Sequence, residues 1–269
     1  GSKYLQSRIG DTFIQAKKML EDGRQVLYSG TPCQIAGLRN FLRKDYENLL
    51  TVDFVCHGVP SPKVWLNYLE NTISYYRNKY KGKNINVDSI SFRDKHLGWK
   101  NFSFVLAFSI MDVNGLKKSC VHSEPFMENI FMKGFLANLY LRPSCYCCPV
   151  KKMKSGSDIT IGDFWGVEKV MPDFYNDKGV SLVLINTNKG YNVFKTLNIQ
   201  KRESCYSDAL KGNTSIVKSV HLTIKRDFFF KEFLKGRNLE VLINKLDYTP
   251  FLIRIGRKVT QKIKNYIIR

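Results

Sequence analysis

The stretch Gln25-Val26-Leu27-Tyr28-Ser29-Gly30-Thr31-Pro32-Cys33-Gln34-Ile35-Ala36-Gly37-Leu38-Arg39-Asn40-Phe41-Leu42-Arg43, followed by Leu49-Leu50-Thr51-Val52-Asp53-Phe54-Val55-Cys56, decides the fold. Gln25 to Ser29 has the short apolar pattern of a buried strand, and Gly30-Thr31-Pro32 is a turn. Gln34 to Arg43 then sets Ile35, Leu38, Phe41 and Leu42 inward at helical spacing, and Leu49 to Val55 is a second apolar strand. Strand, turn, helix and strand in about thirty residues make a βαβ unit, whose strands lie parallel and whose crossover is right-handed.

Outward from this unit, Asp11 to Asp22 reads as a helix upstream, and Ser61 to Tyr80 as a long helix with Ser61 as cap and Pro62 at its first position. Ile85 to Arg93, Asn101 to Met111 and Gly115 to Val121 read as strands, the last two joined as a hairpin through Asn114-Gly115. Glu124 to Tyr140 reads as helix, Arg142 to Gly156 as a cysteine-rich loop, and Asp158 to Gly162 and Val180 to Asn186 as strands. The remainder is mostly helical and basic. The expected class is α/β: a partly parallel sheet begun by a βαβ unit, with an antiparallel hairpin insertion and a helical C-terminal region. Residues 1–236 are expected to form the core and residues 237–269 a basic helical tail. In that tail Leu252, Ile255, Val259, Ile263, Tyr266 and Ile267 share one face, which suits either the domain core or peripheral membrane contact.

The chain has 269 residues, 43% hydrophobic and 25% charged, an ordinary globular balance that excludes a disordered, collagenous or disulfide-stapled miniature protein. No apolar run approaches the roughly 18 residues that span a bilayer, and Gly1 to Lys3 carry no apolar signal region, so a cytoplasmic location is expected. A net charge of +20 favours an anionic partner. Seven cysteines, with Cys147 and Cys148 adjacent, do not make a disulfide framework, so metal or redox use becomes the question.

Cys33 follows the first strand of the βαβ unit and Cys56 closes the second, which puts both at the carboxyl edge of neighbouring parallel strands, where open α/β sheets bind ligands. Cys145 and Cys148 form a C-x-x-C pair followed by Pro149, as in many iron–sulfur loops. Cys33, Cys56, Cys145 and Cys148 are therefore expected to share one metal site, with Cys147 as a substitute ligand. Cys120 and Cys205 read as small hydrophobes. Structural zinc sites usually draw on paired knuckles, whereas here two ligands come singly from strand ends, which favours a 4Fe-4S cluster over zinc. The alternative is a zinc-stapled basic module binding nucleic acid. The scattering of basic residues over the chain argues against it, so no nucleic acid partner is expected.

Six ordered blocks go further. Lys3-Tyr4-Leu5-Gln6-Ser7, Gly30 to Leu38, Asp53 to Pro62, Ser91-Phe92-Arg93-Asp94-Lys95, Arg142-Pro143-Ser144-Cys145 and Ser157 to Gly166 together resemble the coenzyme F420 hydrogenase/dehydrogenase beta subunit family. The resemblance implies an iron–sulfur flavoprotein oxidoreductase that binds FAD and passes electrons between a 4Fe-4S cluster or ferredoxin and an organic substrate. Archaeal members pass electrons to or from the deazaflavin coenzyme F420 and bacterial relatives often lie among polysaccharide-synthesis genes, so with the basic charge the expected substrate is an anionic small molecule of deazaflavin, nucleotide or sugar type. Members commonly begin with a ferredoxin-like module, so either such a module ahead of Lys3 or a separate ferredoxin is the expected redox partner. Cys147 stands where the family usually has another residue.

Site roles follow. Gly30 and Thr31, between strand and helix, offer backbone N–H groups to the flavin or its pyrophosphate. Gln34, His57 and Gly58 flank the presumed ligands, with Gln34 placed to hydrogen-bond sulfur or flavin and His57 to serve as general acid. Arg93, Lys95 and Lys100 suit a phosphorylated aromatic ligand, and Asp163 and Trp165 end the strand that follows the cysteine loop, near the same edge.

Overall fold

The computed structural model describes residues 4–81, 84–111 and 116–246. The βαβ unit is present: β1 (Val26–Ser29), α2 (Pro32–Leu42) and β2 (Leu49–Phe54), preceded by α1 (Thr12–Glu21). β1 and β2 pair in parallel, with Val26 opposite Leu49 and Ser29 opposite Val52. A third parallel strand, β6 (Ile159–Asp163), joins the far side of β2, and β7 (Ser181–Ile185) closes that edge in antiparallel sense. The order is therefore β1-β2-β6-β7.

The other strands form a sheet of their own. β3 (Asn84–Asp94), β4 (Ser103–Met111) and β5 (Lys117–Pro125) make an antiparallel three-stranded sheet, so the insertion is larger than a hairpin. The expected Asn114-Gly115 turn and residues 247–269 of the expected tail lie outside the described residues. The helix expected over Glu124 to Tyr140 is only α4 (Ile130–Leu136). Glu124 and Pro125 extend β5, and Asn129 starts the helix by accepting from the Met132 N–H at 2.9 Å. Phe41, expected inward, is 42% exposed, because Leu38 and Leu42 take the buried face of α2 while Phe41 turns to Phe13 of α1.

The main core lies between α3 (Pro62–Tyr80), the antiparallel sheet and the helices α4, α5 (Lys225–Leu234) and α6 (Leu239–Leu246). It is built on aromatics, among them Trp65, Phe104, Phe131, Tyr140 and Phe229. Leu239, Leu242 and Ile243 are buried in it, so α6 packs into this core. A second cluster around Trp99, Phe164, Val167 and Leu182 lies by the ends of β6 and β7. Burial alone would push the Asp158 carboxyl up, but bonds from the Thr51 N–H and hydroxyl (2.8 and 2.7 Å) and the Thr187 hydroxyl (2.7 Å), with Arg39 at 3.5 Å, hold it below the usual carboxylate range. This ties β2 and α2 to the start of β6. No helix among the described residues is long and apolar enough to cross a membrane.

Candidate active site

Three parallel strands deliver their last residues to one edge. The Gly30 N–H continues the ladder to Val52 O (3.1 Å) and the Val55 N–H continues it to Ile161 O (2.8 Å), so Gly30, Val55-Cys56 and Gly162-Asp163 emerge side by side. Gly162 permits that approach, since a Cβ there would come within 2.8 Å of Val55 Cγ2. At this edge one pocket is lined by Cys33, Cys56, Cys145 and Cys148 together with His57, Gly58, Lys151 and Asp53. The cysteine loop reaches it by docking on the turn after β2: the Arg142 N–H donates to Val59 O at 2.8 Å, and the Val59 N–H reaches Cys145 Sγ at 3.4 Å. Gly58 makes room, because a Cβ there would meet Leu141 Cδ1 at 2.9 Å and Cys145 Cβ at 3.6 Å.

The four sulfurs feel one another. Burial pushes the Cys56 thiol up to about 12; Lys151 opposes this, and the charges of Cys145, Cys33 and Cys148 add to it. Burial raises Cys145 as well, against the Val59 N–H. N–H donors face two of the sulfurs, Val59 at Cys145 and the Gln6 side-chain amide at Cys33 (3.5 Å). Cys147 is exposed and does not line the pocket. Among the described residues no group of three or more His, Cys, Asp or Glu side chains is arranged to hold a metal ion.

His57 lines the pocket, with Nε2 2.8 Å from Asn138 Oδ1 and its ring 4.9 Å from that of Phe135. Burial lowers its pKa, so the ring is neutral at pH 7 and is better suited to a fixed hydrogen bond than to delivering a proton as imidazolium. The Gly30–Gln34 turn is internally committed: the Gly30 N–H goes to Val52, the Thr31 N–H to Gln34 Oε1 (3.0 Å), and Gln34 Nε2 to Ser7 O (2.8 Å). Thr31 and Gln34 thus form the return arm of a capping box on α2, and the expected free N–H groups of Gly30 and Thr31 are already spoken for. Thr31 Oγ1 still lies 3.1 Å from Cys33 Sγ.

Residues 23–205 match the family model that describes the C terminus of the beta chain of coenzyme F420 hydrogenase/dehydrogenase. The chain belongs to this family. The match runs from just ahead of β1 past β7, so it covers the whole strand edge and every cysteine in the pocket. It makes the chain an oxidoreductase-like member of a redox family. No curated protein and no solved structure matches the chain.

Of the remaining expected residues of this family member, Arg93, Asp163 and Trp165 assemble a little apart, at the end of β6. Arg93 Nη1 forms an ion pair with Asp163, and the guanidinium lies over Phe102 (4.6 Å) and Trp165 (5.5 Å). Its side chain is 7% exposed, and its Nε and Nη2 are buried without a partner. Trp99 donates to Asp163 (3.3 Å) and stacks on Trp165 at 5.0 Å. Tyr4 adjoins this group; burial raises its phenol to about 12, with Arg93 opposing and Asp163 assisting. Lys95 and Lys100 turn away from it, Lys95 donating to Lys178 O (2.7 Å) and Lys100 pairing with Glu168 (2.9 Å). Neither lines the cysteine pocket.

Sequence reasoning assigned no role to Lys151 or Gln6. Lys151 Nζ donates to Cys56 O (2.7 Å) and Ser215 O (2.6 Å) at the pocket wall, yet in the sequence it sits in the run Lys151, Lys152 and Lys154 with nothing to single it out. Gln6 falls within a block that carried the resemblance, which was the available signal.

Proposed function

We propose that this chain is an iron–sulfur flavoprotein oxidoreductase in which Cys33, Cys56, Cys145 and Cys148 hold a 4Fe-4S cluster and FAD lies along the same strand edge. The observation that carries this is the lining of one pocket by four thiols from three separate segments, two of them facing N–H donors. Thiolates that surround a pocket, instead of meeting at a point, suit a cluster in which each sulfur binds a different iron. Two half-buried thiols with raised pKa values also favour a cationic occupant, because desolvating a thiolate without compensating positive charge is costly.

When bound, the cluster supplies single electrons and the flavin exchanges hydride or electrons with the organic substrate. The chain's own residues do the rest. Gly58 and Gly162 let the segments close around the pocket, and His57, neutral and tied to Asn138, presents a fixed ring at its wall. For the flavin, the turn at Gly30, Thr31 and Gln34 contributes shape more than donors. The fit rests instead on the two free donors of Arg93 and on the Trp165 indole, which suit a phosphorylated aromatic ligand. The +20 charge suits an acidic ferredoxin-type donor and an anionic substrate of deazaflavin, nucleotide or sugar type.

The test is anaerobic reconstitution with iron, sulfide and FAD. About four irons and four sulfides per chain are expected, with bound flavin, and Cys56→Ser should lose most of the iron while Cys147→Ser keeps it. Zinc bound in place of iron, or iron indifferent to Cys56→Ser, overturns the reading.

A further inference from the structure

Among the described residues lining the cysteine pocket, Lys151 supplies the one ammonium group. It is not free to swing into solvent. Its Nζ donates to Cys56 O at the end of β2 and to Ser215 O in the short turn Thr214–Ile216, at 2.7 and 2.6 Å. Those carbonyls take two of the ammonium's three donors and hold it where two backbone segments meet, but they carry no formal charge and do not cancel its own. The pocket's carboxyl, Asp53, is buried and receives the Thr160 hydroxyl at 2.5 Å, and burial raises its pKa above the ordinary carboxylate value. His57, the other titratable group at the wall, is tied to Asn138. No carboxylate pairs with Lys151 among the described residues.

We infer that Lys151 is an electrostatic positioning residue: it fixes one positive charge against the four cysteines and so sets how readily the group they hold accepts an electron. The second half rests on the iron–sulfur reading above. The physical basis is Coulombic. Four thiolates already concentrate negative charge in a partly desolvated pocket, and each electron that enters adds one more. A fixed cation at the wall stabilises the reduced form more than the oxidised form, and thereby raises the reduction potential. Tethering matters as much as charge, because a lysine head group that could rotate into water would be screened. In the reductive step a single electron passes from the external reductant to the group held by the cysteines, and no bond in the chain forms or breaks.

Two substitutions in the full chain separate charge from tether. Lys151→Gln keeps a hydrogen-bond donor and removes the charge, whereas Lys151→Arg keeps the charge. In reconstituted protein titrated with dithionite as electron donor, Lys151→Gln should lower the reduction equilibrium constant about ten-fold, which is about 59 mV for one electron. Lys151→Arg should stay within about three-fold of the parent. A second readout needs no cluster. In metal-free, reduced protein the pocket thiols are alkylated by iodoacetate, an anion, and by neutral iodoacetamide. Both reagents require the same thiolate, so the ratio of their rates reports local potential and cancels the thiol's own ionisation. That ratio should fall about three-fold or more in Lys151→Gln and hold in Lys151→Arg.

An unchanged ratio and potential in Lys151→Gln, or equal changes in both variants, overturns the inference. If the parent chain binds no cluster, the iron–sulfur reading fails and the potential-setting role falls with it, while the alkylation ratio still decides whether Lys151 charges the pocket.

Discussion

Two polar clusters stand at neighbouring strand ends and differ in what they leave unfinished. Around Cys33 and Cys56 the surrounding groups are donors and cations facing the sulfurs, Lys151 acting on Cys56 and Arg142 on Cys145. At the end of β6 the charges cancel within the protein: Arg93 pairs with Asp163, Trp99 closes on the same carboxylate, and only Nε and Nη2 of Arg93 are left over. On the proposed iron–sulfur reading, the first arrangement is built around a group it receives. The second is built first as structure, since a partly buried ion pair, its guanidinium over aromatic rings, joins the antiparallel sheet to the parallel one, and any ligand role is added through the two remaining donors.

The sharpest way to break this contrast is Arg93→Ala. It strands the Asp163 carboxylate, 30% exposed, beside Trp99 and removes the guanidinium from between Phe102 and Trp165. A loss of about 3 kcal/mol in urea unfolding is expected, with FAD affinity falling about ten-fold and iron content unchanged. Iron lost in parallel with stability would mean that the two clusters are a single unit.

The cysteine side is sharpened by alkaline pH. In the folded, metal-free protein Cys56 keeps its proton up to about pH 12, whereas an ordinary thiol releases it near 9. Between those values the unfolded chain binds fewer protons than the folded one, so stability is full below about pH 9 and declines as pH rises toward 12. Relative to Cys56→Ala, metal-free parent protein should lose about 1 kcal/mol per pH unit across that window, read from urea midpoints at fixed ionic strength. Parallel curves for the two proteins would show that Cys56 is not held neutral by burial.

The smallest effect is expected at Gln34, whose position beside Cys33 suggested a cofactor contact. Since its side chain closes the cap of α2 and reaches Ser7, Gln34→Ala should cost about 1 kcal/mol and leave reconstituted iron and flavin content unchanged. A selective loss of flavin at unaltered stability would return Gln34 to the ligand side of the comparison.

Much of this was legible in the chain itself. The apolar runs on either side of Gly30-Thr31-Pro32 are local signals, and parallel pairing with a helical crossover follows from them, which by itself brings Cys33 and Cys56 to one edge. The C-x-x-C-P spacing marked Cys145 and Cys148 over the exposed Cys147 for the same reason: short-range geometry limits which thiols can face inward. What the tertiary structure decided is long-range. That β6 lies beside β2, and that Arg93 meets Asp163, depend on pairings between residues 70 or more apart in sequence, which no local periodicity encodes. The separation of the three middle strands into their own sheet is decided in the same way, by which strand edges the fold leaves open to them. Lys151 shows the limit most clearly. Its composition and neighbours match those of Lys152 and Lys154, and only the meeting of the Cys56 and Ser215 carbonyls at its ammonium group distinguishes it, because a side chain's role is set by the field and partners that folding brings to it.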